Sequence, residues 1–295
     1  MNSLGRISRR GMLKGLVAGG LALVGGVGCG MAREQQLGQT TPEPIKKWSY
    51  QTKGFIDSSP TVINGIVYVG STDGSLYALE AASGRRHWSY ETGNNITGGS
   101  ITSSPTVAND IVYVGTIAGS LYALDAASGR RHWSYRAGSY IQTRPAVVNG
   151  IVYVGSEDGS LYALDAASGR KHWSYRTESS IGGFLRSSPA VVNGIVYAGS
   201  VDGKVYALDA TSGRKQWSSR IGSYILSSPT VVNGIVYVGS EDGSLYALDA
   251  ASGRKQWSYQ TGYYVASSPT VVNEVVYVGS DDHSLYAIAL PRTTP

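Results

Sequence analysis

The sequence predicts an all-β fold, a six-bladed β-propeller of four-stranded antiparallel blades. Three observations lead to this prediction: tryptophans recur at near-regular spacing, one unit occurs six times, between them and after the last, and every unit contains short runs typical of β-strands. The spacings are 40, 45, 40, 44 and 40 residues, between Trp48, Trp88, Trp133, Trp173, Trp217 and Trp257. Four-stranded units that repeat about every 40 residues are typical of propellers.

Each repeat contains three short apolar runs, and in the first five repeats a tryptophan segment follows them. In the fifth copy the runs are residues 230–232, 235–238 and 245–248, rich in Val, Ile and Tyr. Asn-Gly and Asp-Gly separate them and favour tight hairpins, because glycine accepts a positive φ. The Trp-Ser-Tyr segment supplies a fourth strand. Apolar residues fill both alternating sets of positions, so both faces of each sheet should be covered by neighbouring blades.

The order of strands along the chain also predicts how the ring closes. Residues 46–52, around Trp48, precede the first unit, whereas the last unit, residues 268–290, is followed by Pro291 and by no tryptophan strand. One strand is spare at the start and one is missing at the end. We therefore expect the Trp48 strand to complete the sixth blade, closing the ring and removing an exposed strand edge.

An eleven-residue motif, A-x-[DE]-x-x-x-G-x-x-x-W, joins the third strand to the tryptophan strand, as in residues 123–133. Ser-Ser-Pro precedes the first strand, and the next two strands follow the pattern Val-Tyr-Val-Gly-Ser-x-Asp-Gly-x-Leu-Tyr-Ala-Leu-Asp. Together with the eleven-residue motif, this pattern resembles the tryptophan-docking repeat of the PQQ-like (pyrroloquinoline-quinone) propellers. The resemblance covers residues 46–290. It implies that each indole packs between an alanine and a glycine peptide of a neighbouring blade, with Trp48, Trp88, Trp133, Trp173, Trp217, Trp257, Gly84, Gly129, Gly169, Gly213 and Gly253 as docking residues.

Residues 1–29 indicate an export signal, with a basic stretch followed by an apolar, glycine-rich run. Arg9 and Arg10 resemble a twin-arginine signal, and an ordinary secretory signal is the alternative. Cys29, the only cysteine, lies where a bacterial lipoprotein would be acylated, although Gly26 stands where such sites prefer leucine. Residues 30–45 indicate a flexible linker and 291–295 a tail. We expect an extracytoplasmic domain, tethered to the membrane if Cys29 is acylated and otherwise released by signal cleavage.

The net charge of +5 comes mainly from the N-terminus. Residues 1–29 hold four basic residues and no acids, which leaves 21 basic against 20 acidic residues in the rest of the chain. A nearly neutral body argues against nucleic acid as a partner. A single cysteine also excludes an intrachain disulfide.

Function should lie where the copies differ, in the loops that lead into Ser-Ser-Pro. Five residues before the proline, five copies carry an aromatic residue and the second copy carries Ser100. Chain direction places these loops and the Asp-Gly hairpins on one face, at the mouth of the central channel. We expect a binding surface there; the alternative is that the aromatics only wedge between blades. Arg144 and Arg186 are the expected anion contacts among the candidates Phe55, Asp57, Tyr140, Gln142, Arg144, Phe184, Arg186, Tyr224 and Tyr264.

The resemblance leaves more than one class of function open. The favoured hypothesis is an exported, non-catalytic, monomeric propeller that binds protein partners on the loop face. The alternatives are a PQQ-dependent enzyme that uses calcium, or a small-ligand sensor at the channel mouth. The quinoprotein enzymes are longer, and no acid of this chain matches their calcium ligands or catalytic Asp. We therefore expect no catalytic residue, no cofactor and no metal site, since His87, His132 and His172 lie one per blade.

Overall fold

The computed structural model describes residues 44–93, 99–178 and 183–290. The predictions for the export signal, for Arg9, Arg10 and Cys29, for most of the linker and for the tail lie outside these residues. Within them the chain forms 23 β-strands and no helix, arranged as six antiparallel sheets. No helix in this part of the chain has the length and apolar character needed to cross a membrane.

Each sheet is one blade, built from strands that are consecutive in the sequence. The first three blades contain β1 (Thr61–Ile63), β2 (Ile66–Gly70), β3 (Ser75–Glu80), β4 (Arg86–Glu91), β5 (Thr106–Ala108), β6 (Ile111–Gly115), β7 (Ser120–Asp125), β8 (Arg131–Arg136), β9 (Ala146–Val148), β10 (Ile151–Gly155), β11 (Ser160–Asp165) and β12 (Lys171–Arg176). The last three contain β13 (Ala190–Val192), β14 (Ile195–Gly199), β15 (Lys204–Asp209), β16 (Lys215–Arg220), β17 (Thr230–Val232), β18 (Ile235–Gly239), β19 (Ser244–Asp249), β20 (Lys255–Gln260), β21 (Thr270–Val272), β22 (Val275–Ser280) and β23 (Ser284–Ala289).

The blades are arranged around an axis that their first strands line. Strands β1, β5, β9, β13 and β17 each contact the first strand of the next blade, the last of these contacts being with β21, while the tryptophan strands form the outer edges. The six repeated antiparallel sheets confirm the predicted fold class, a six-bladed β-propeller.

The hairpins follow from local turn chemistry. Between β17 and β18, Asn233 and Gly234 have φ values of 51° and 74°, the two positive angles that a type I′ turn requires. The second blade and the sixth keep this geometry without glycine, with Asp110 at 57° and Glu274 at 61°. His283, which replaces the glycine of the next hairpin, has a φ of 72°, a conformation that costs a non-glycine residue about 1–2 kcal/mol.

The hydrophobic core is divided among the interfaces between blades. Tyr153 and Leu161 of the third blade pack against Val196 and Leu208 of the fourth, and all four are buried. Similar clusters join each consecutive pair from the first blade to the sixth. Burying a large aliphatic side chain contributes about 1.5–3 kcal/mol, so each interface is a substantial source of stability.

The predicted ring closure is not what the structure shows. Residues 46–52 do not form a strand, and the sixth sheet has three strands, β21–β23, rather than four. Trp48 and Tyr50 still pack on the first blade, beside Val69, Tyr77 and Leu79, as the other docked tryptophans pack on the blade that follows them. The physical reason is that these side chains dock on the blade that follows them, and this docking does not require their backbone to pair with β23.

Candidate functional site

At one end of the blades, a docking turn in each of the first five repeats receives the tryptophan that precedes that repeat in the chain. Trp133 Nε1 donates a 3.0 Å hydrogen bond to the Ala166 carbonyl, and its ring covers Gly169, where an added Cβ would lie 2.6 Å from the indole. In the strand register, Trp133 stands opposite Ala123 of its own blade. The indole therefore lies between an alanine of its own blade and a glycine of the next, and a side chain at the glycine would displace it.

The same contact recurs at the other docking turns. Four more indoles each donate to an alanine carbonyl and cover a glycine: Trp48 with Ala81 and Gly84, Trp88 with Ala126 and Gly129, Trp173 with Ala210 and Gly213, and Trp217 with Ala250 and Gly253. Trp257 packs instead in the apolar cluster between the fifth and sixth blades. Because every turn makes the same contacts, the docking turns stabilise the fold and do not distinguish one blade from another.

At the opposite end, the loops that precede the first strands are fixed through their backbone. In the third blade the Tyr140 carbonyl accepts a 2.9 Å hydrogen bond from the Glu157 amide, in the hairpin of the same blade. In the other five blades, an amide of the corresponding hairpin likewise donates a hydrogen bond to the loop carbonyl, at Phe55, Ser100, Phe184, Tyr224 and Tyr264. The backbone bond positions the loop without using the aromatic side chain.

The next residue in each loop fixes which way the aromatic side chain points. Ile141 is fully buried, its amide donates to the Thr116 carbonyl of the preceding blade, and its side chain lies against Gly115. Neighbouring side chains of an extended segment point to opposite sides. Since Ile141 points inward, Tyr140 points outward.

This buried anchor is a functional feature that the sequence reasoning missed. The position is aliphatic in all six copies, which is the signal that could have revealed it: Ile56, Ile101, Ile141, Leu185, Ile225 and Val265. All except Ile56 are buried, because only Ile56 has no preceding blade in the described structure to cover it.

The aromatic side chains are therefore exposed on one face, which we call the loop face. The exposed fractions are 79% for Phe55, 47% for Tyr140, 39% for Phe184, 54% for Tyr224 and 40% for Tyr264. Tyr263 stacks on Tyr264 with ring centroids 4.1 Å apart, and it is exposed as well. The alternative that these aromatics act only as wedges between blades does not agree with this exposure.

The hairpin aspartates of the loop face are used in their own turns. Asp158 accepts hydrogen bonds from the Ser160 amide at 2.8 Å and from the Tyr162 hydroxyl at 2.5 Å. Burial and this bond to Asp158 raise the pKa of Tyr162 to about 12. At Asp73 burial alone would raise the pKa, but hydrogen bonds from Tyr77 and nearby amides outweigh it, so the pKa of Asp73 lies below its usual value.

The two candidate arginines have different environments. Arg186 forms an ion pair with Glu157, with 2.8 Å between Nε and Oε1, and the glutamate is buried. Its charge is therefore compensated within the protein. Arg144 is exposed and donates to the hydroxyls of Thr106 and Thr61 at 3.2 and 3.5 Å. Of the remaining candidates, Asp57 is exposed on the first blade and Gln142 is partly buried on the third.

The described residues do not fit a calcium-held quinone. Within the described ranges, no three side chains of His, Cys, Asp or Glu come close enough together to hold a metal ion. The hairpin acids are separated, one blade from the next, and engaged in turns.

Comparison with known proteins agrees with this geometry. The family model described as outer membrane protein assembly factor BamB matches residues 46–110, 94–223 and 179–291. Sequence comparison with curated proteins finds no match.

Two solved structures are similar to the fold. BamB from Moraxella catarrhalis superposes with a TM-score of 0.72 at 24% identity, over 82% of this chain and 76% of that one. The computationally designed Ika8 protein gives a TM-score of 0.68 at 18% identity, over 79% and 70% of the two chains. At these identities the likeness concerns the fold. The family match spans nearly all of the blades, and the chain therefore belongs to the PQQ-like repeat propeller family of the outer membrane protein assembly factor BamB.

Proposed function

We propose that the chain is an exported, non-catalytic propeller that binds protein partners through the loop face. The observation that carries this proposal is the exposure of five aromatic side chains whose loops are fixed by backbone hydrogen bonds and, in every loop except that of Phe55, by a neighbouring buried residue. A rigid loop that presents an aromatic residue loses little conformational entropy on binding.

The chemistry of the loop face supports a protein as the partner. Aromatic residues and arginine are enriched at the centres of protein interfaces, where they contribute most of the binding energy. Tyr224 of the fifth blade and Tyr263 and Tyr264 of the sixth are all exposed, and the Tyr263–Tyr264 stack provides a flat apolar surface. Phe184 provides a second anchor on the fourth blade, beside the Arg186–Glu157 ion pair.

Family membership supports the cellular setting. The name of the family describes an assembly factor for outer membrane proteins. We infer that this chain acts outside the cytoplasm as a scaffold in such an assembly, after export through residues 1–29. In this proposal acylation of Cys29 provides the membrane tether.

The proposal is tested by site-specific photo-crosslinking in cells of the source organism. A photoreactive phenylalanine derivative replaces Phe184 or Tyr224 on the loop face, and Arg130 or Arg214 in the docking turns as matched exposed controls. We expect one envelope protein, identified by mass spectrometry, to be crosslinked from both loop-face positions and from neither control. Phe184→Ser and Tyr224→Ser should each reduce its copurification at least fivefold without lowering the Tm.

Two outcomes would contradict the proposal. Adducts that form equally from the docking-turn positions would show that the loop face is not the binding surface. A copurification yield unchanged by both serine variants would show that the exposed aromatics do not carry the binding.

A further inference from the structure

A series of hydrogen bonds joins consecutive blades around the axis, at the second serine of Ser-Ser-Pro. The Ser59 amide donates to the Ser104 hydroxyl at 2.9 Å, and the Ser188 amide donates to the Ser228 hydroxyl at 3.0 Å. The Ser228 amide continues the series to Ser268, also at 3.0 Å. The serine side chains at these positions are therefore structural links.

Arg144 is the exception in this series. Its amide donates to the Ser188 hydroxyl at 2.9 Å, as in the other blades, but it has no hydroxyl to offer the second blade. Its side chain turns along the inner strands instead. Nε lies 3.2 Å from Thr106 Oγ1 and an Nη atom lies 3.5 Å from Thr61 Oγ1, so the guanidinium reaches across the first residues of β5 and β1.

The two threonines hold the guanidinium without neutralising it. Thr106 donates its hydroxyl proton to the Pro145 carbonyl at 2.6 Å, and Thr61 donates to the Pro105 carbonyl at 2.7 Å. Their oxygens are thus oriented as acceptors for Arg144. Among the described residues no carboxylate forms an ion pair with Arg144, whereas Arg186 is paired with Glu157.

We propose that Arg144, with Thr61 and Thr106, forms a binding site for the oxyanion of a small molecule, a carboxylate or a phosphate, at the channel mouth. The planar guanidinium binds such groups through two parallel N–H bonds, and a guanidinium already held in place loses little freedom when it does so. The site does not depend on a protein partner.

The test measures binding of citrate and of inorganic phosphate to the full chain by calorimetry, at constant ionic strength set with chloride. Arg144→Ser restores the residue found at this position in the other five copies, so the variant should fold. Arg176→Ser removes one positive charge from the outermost strand of the same blade and serves as the matched control. Comparing the two probes distinguishes a carboxylate site from a phosphate site.

We expect saturable binding of at least one probe, weakened at least tenfold by Arg144→Ser and changed less than twofold by Arg176→Ser. A rise in Tm with the probe should be lost in the Arg144 variant alone. The proposal is overturned if neither probe binds the wild-type chain, or if both variants bind equally, since the second result would mean that only the overall charge attracts the anion.

Discussion

The third and sixth blades have nearly the same sequence but different degrees of burial. Strand β11 is Ser-Leu-Tyr-Ala-Leu-Asp and β23 is Ser-Leu-Tyr-Ala-Ile-Ala. Leu161 is 1% exposed and its counterpart Leu285 is 76% exposed, while Tyr153 is 2% exposed and Tyr277 39%. Among the residues that the structure describes, the third blade lies between two others, and the sixth has a neighbour on one side only. The sequence of a repeat therefore determines where its strands form, whereas the adjacent blades determine how far the strand is buried and how much it contributes to stability.

The largest expected effect comes from truncating the matched leucines. Leu161→Ala should lower the free energy of unfolding by about 2–5 kcal/mol, because it removes buried contacts and leaves a cavity. Leu285→Ala should change it by less than about 0.5 kcal/mol, as is usual for exposed positions. Denaturation in urea measures both changes.

A large cost for Leu285→Ala would contradict the comparison. It would mean that the face of the sixth blade is covered in solution, for example by the closing strand that the sequence predicts. The leucine pair therefore tests the open arrangement directly.

A smaller effect is expected at the matched tyrosines. The Tyr153 hydroxyl donates a 3.0 Å hydrogen bond to the Ala210 carbonyl of the fourth blade. Tyr153→Phe should cost about 0.5–1.5 kcal/mol, the usual contribution of such a bond. Tyr277→Phe should be nearly neutral, since the described structure gives this hydroxyl no such carbonyl. Thermal unfolding of the two variants is the measurement, and equal losses would contradict the comparison.

A further effect appears only in alkali. The pKa of Tyr162, about 12, lies above the usual value near 10 for an unfolded chain, mainly because of burial. The raised pKa means that the neutral phenol stabilises the fold fully below about pH 10, and that this contribution is lost between pH 10 and pH 12. At the matched Tyr286 the hydrogen bond to Asp282 is the main cause of a raised pKa.

Absorbance at the phenolate band checks this prediction. The difference between the wild-type chain and Tyr162→Phe should titrate with a pKa of about 12, and Tyr162→Phe should lose less stability than the wild type between pH 10 and pH 12. A Tyr162 that titrates near pH 10 would show that the hydroxyl is accessible to water.

The strands and turns could be predicted from local sequence. The three apolar runs of the fifth copy correspond to β17, β18 and β19, because Asn-Gly and Asp-Gly set the hairpin positions wherever they occur. The family could also be recognised from the repeat, since its motif places a tryptophan, an alanine and a glycine at fixed spacing.

The candidate site was only partly predictable for a physical reason. The sequence places an aromatic residue in five of the six loops. Whether Tyr140 points outward depends on whether the Ile141 side chain packs against Gly115 of the preceding blade. Sequence likewise treats Arg144 and Arg186 as equivalent. Only their surroundings show that Arg186 has a buried carboxylate beside it and that Arg144 has two hydroxyls.

The sequence by itself determined the all-β repeat, the turn positions and the family, because these depend on contacts between residues close in the chain or in identical copies. The tertiary structure decided which faces are covered, which aromatics are exposed and which arginine keeps an uncompensated charge. These properties depend on pairs of blades, and 46–52 is the clearest case: its sequence fits a fourth strand and Trp48 docks on the first blade, yet the segment does not pair with β23.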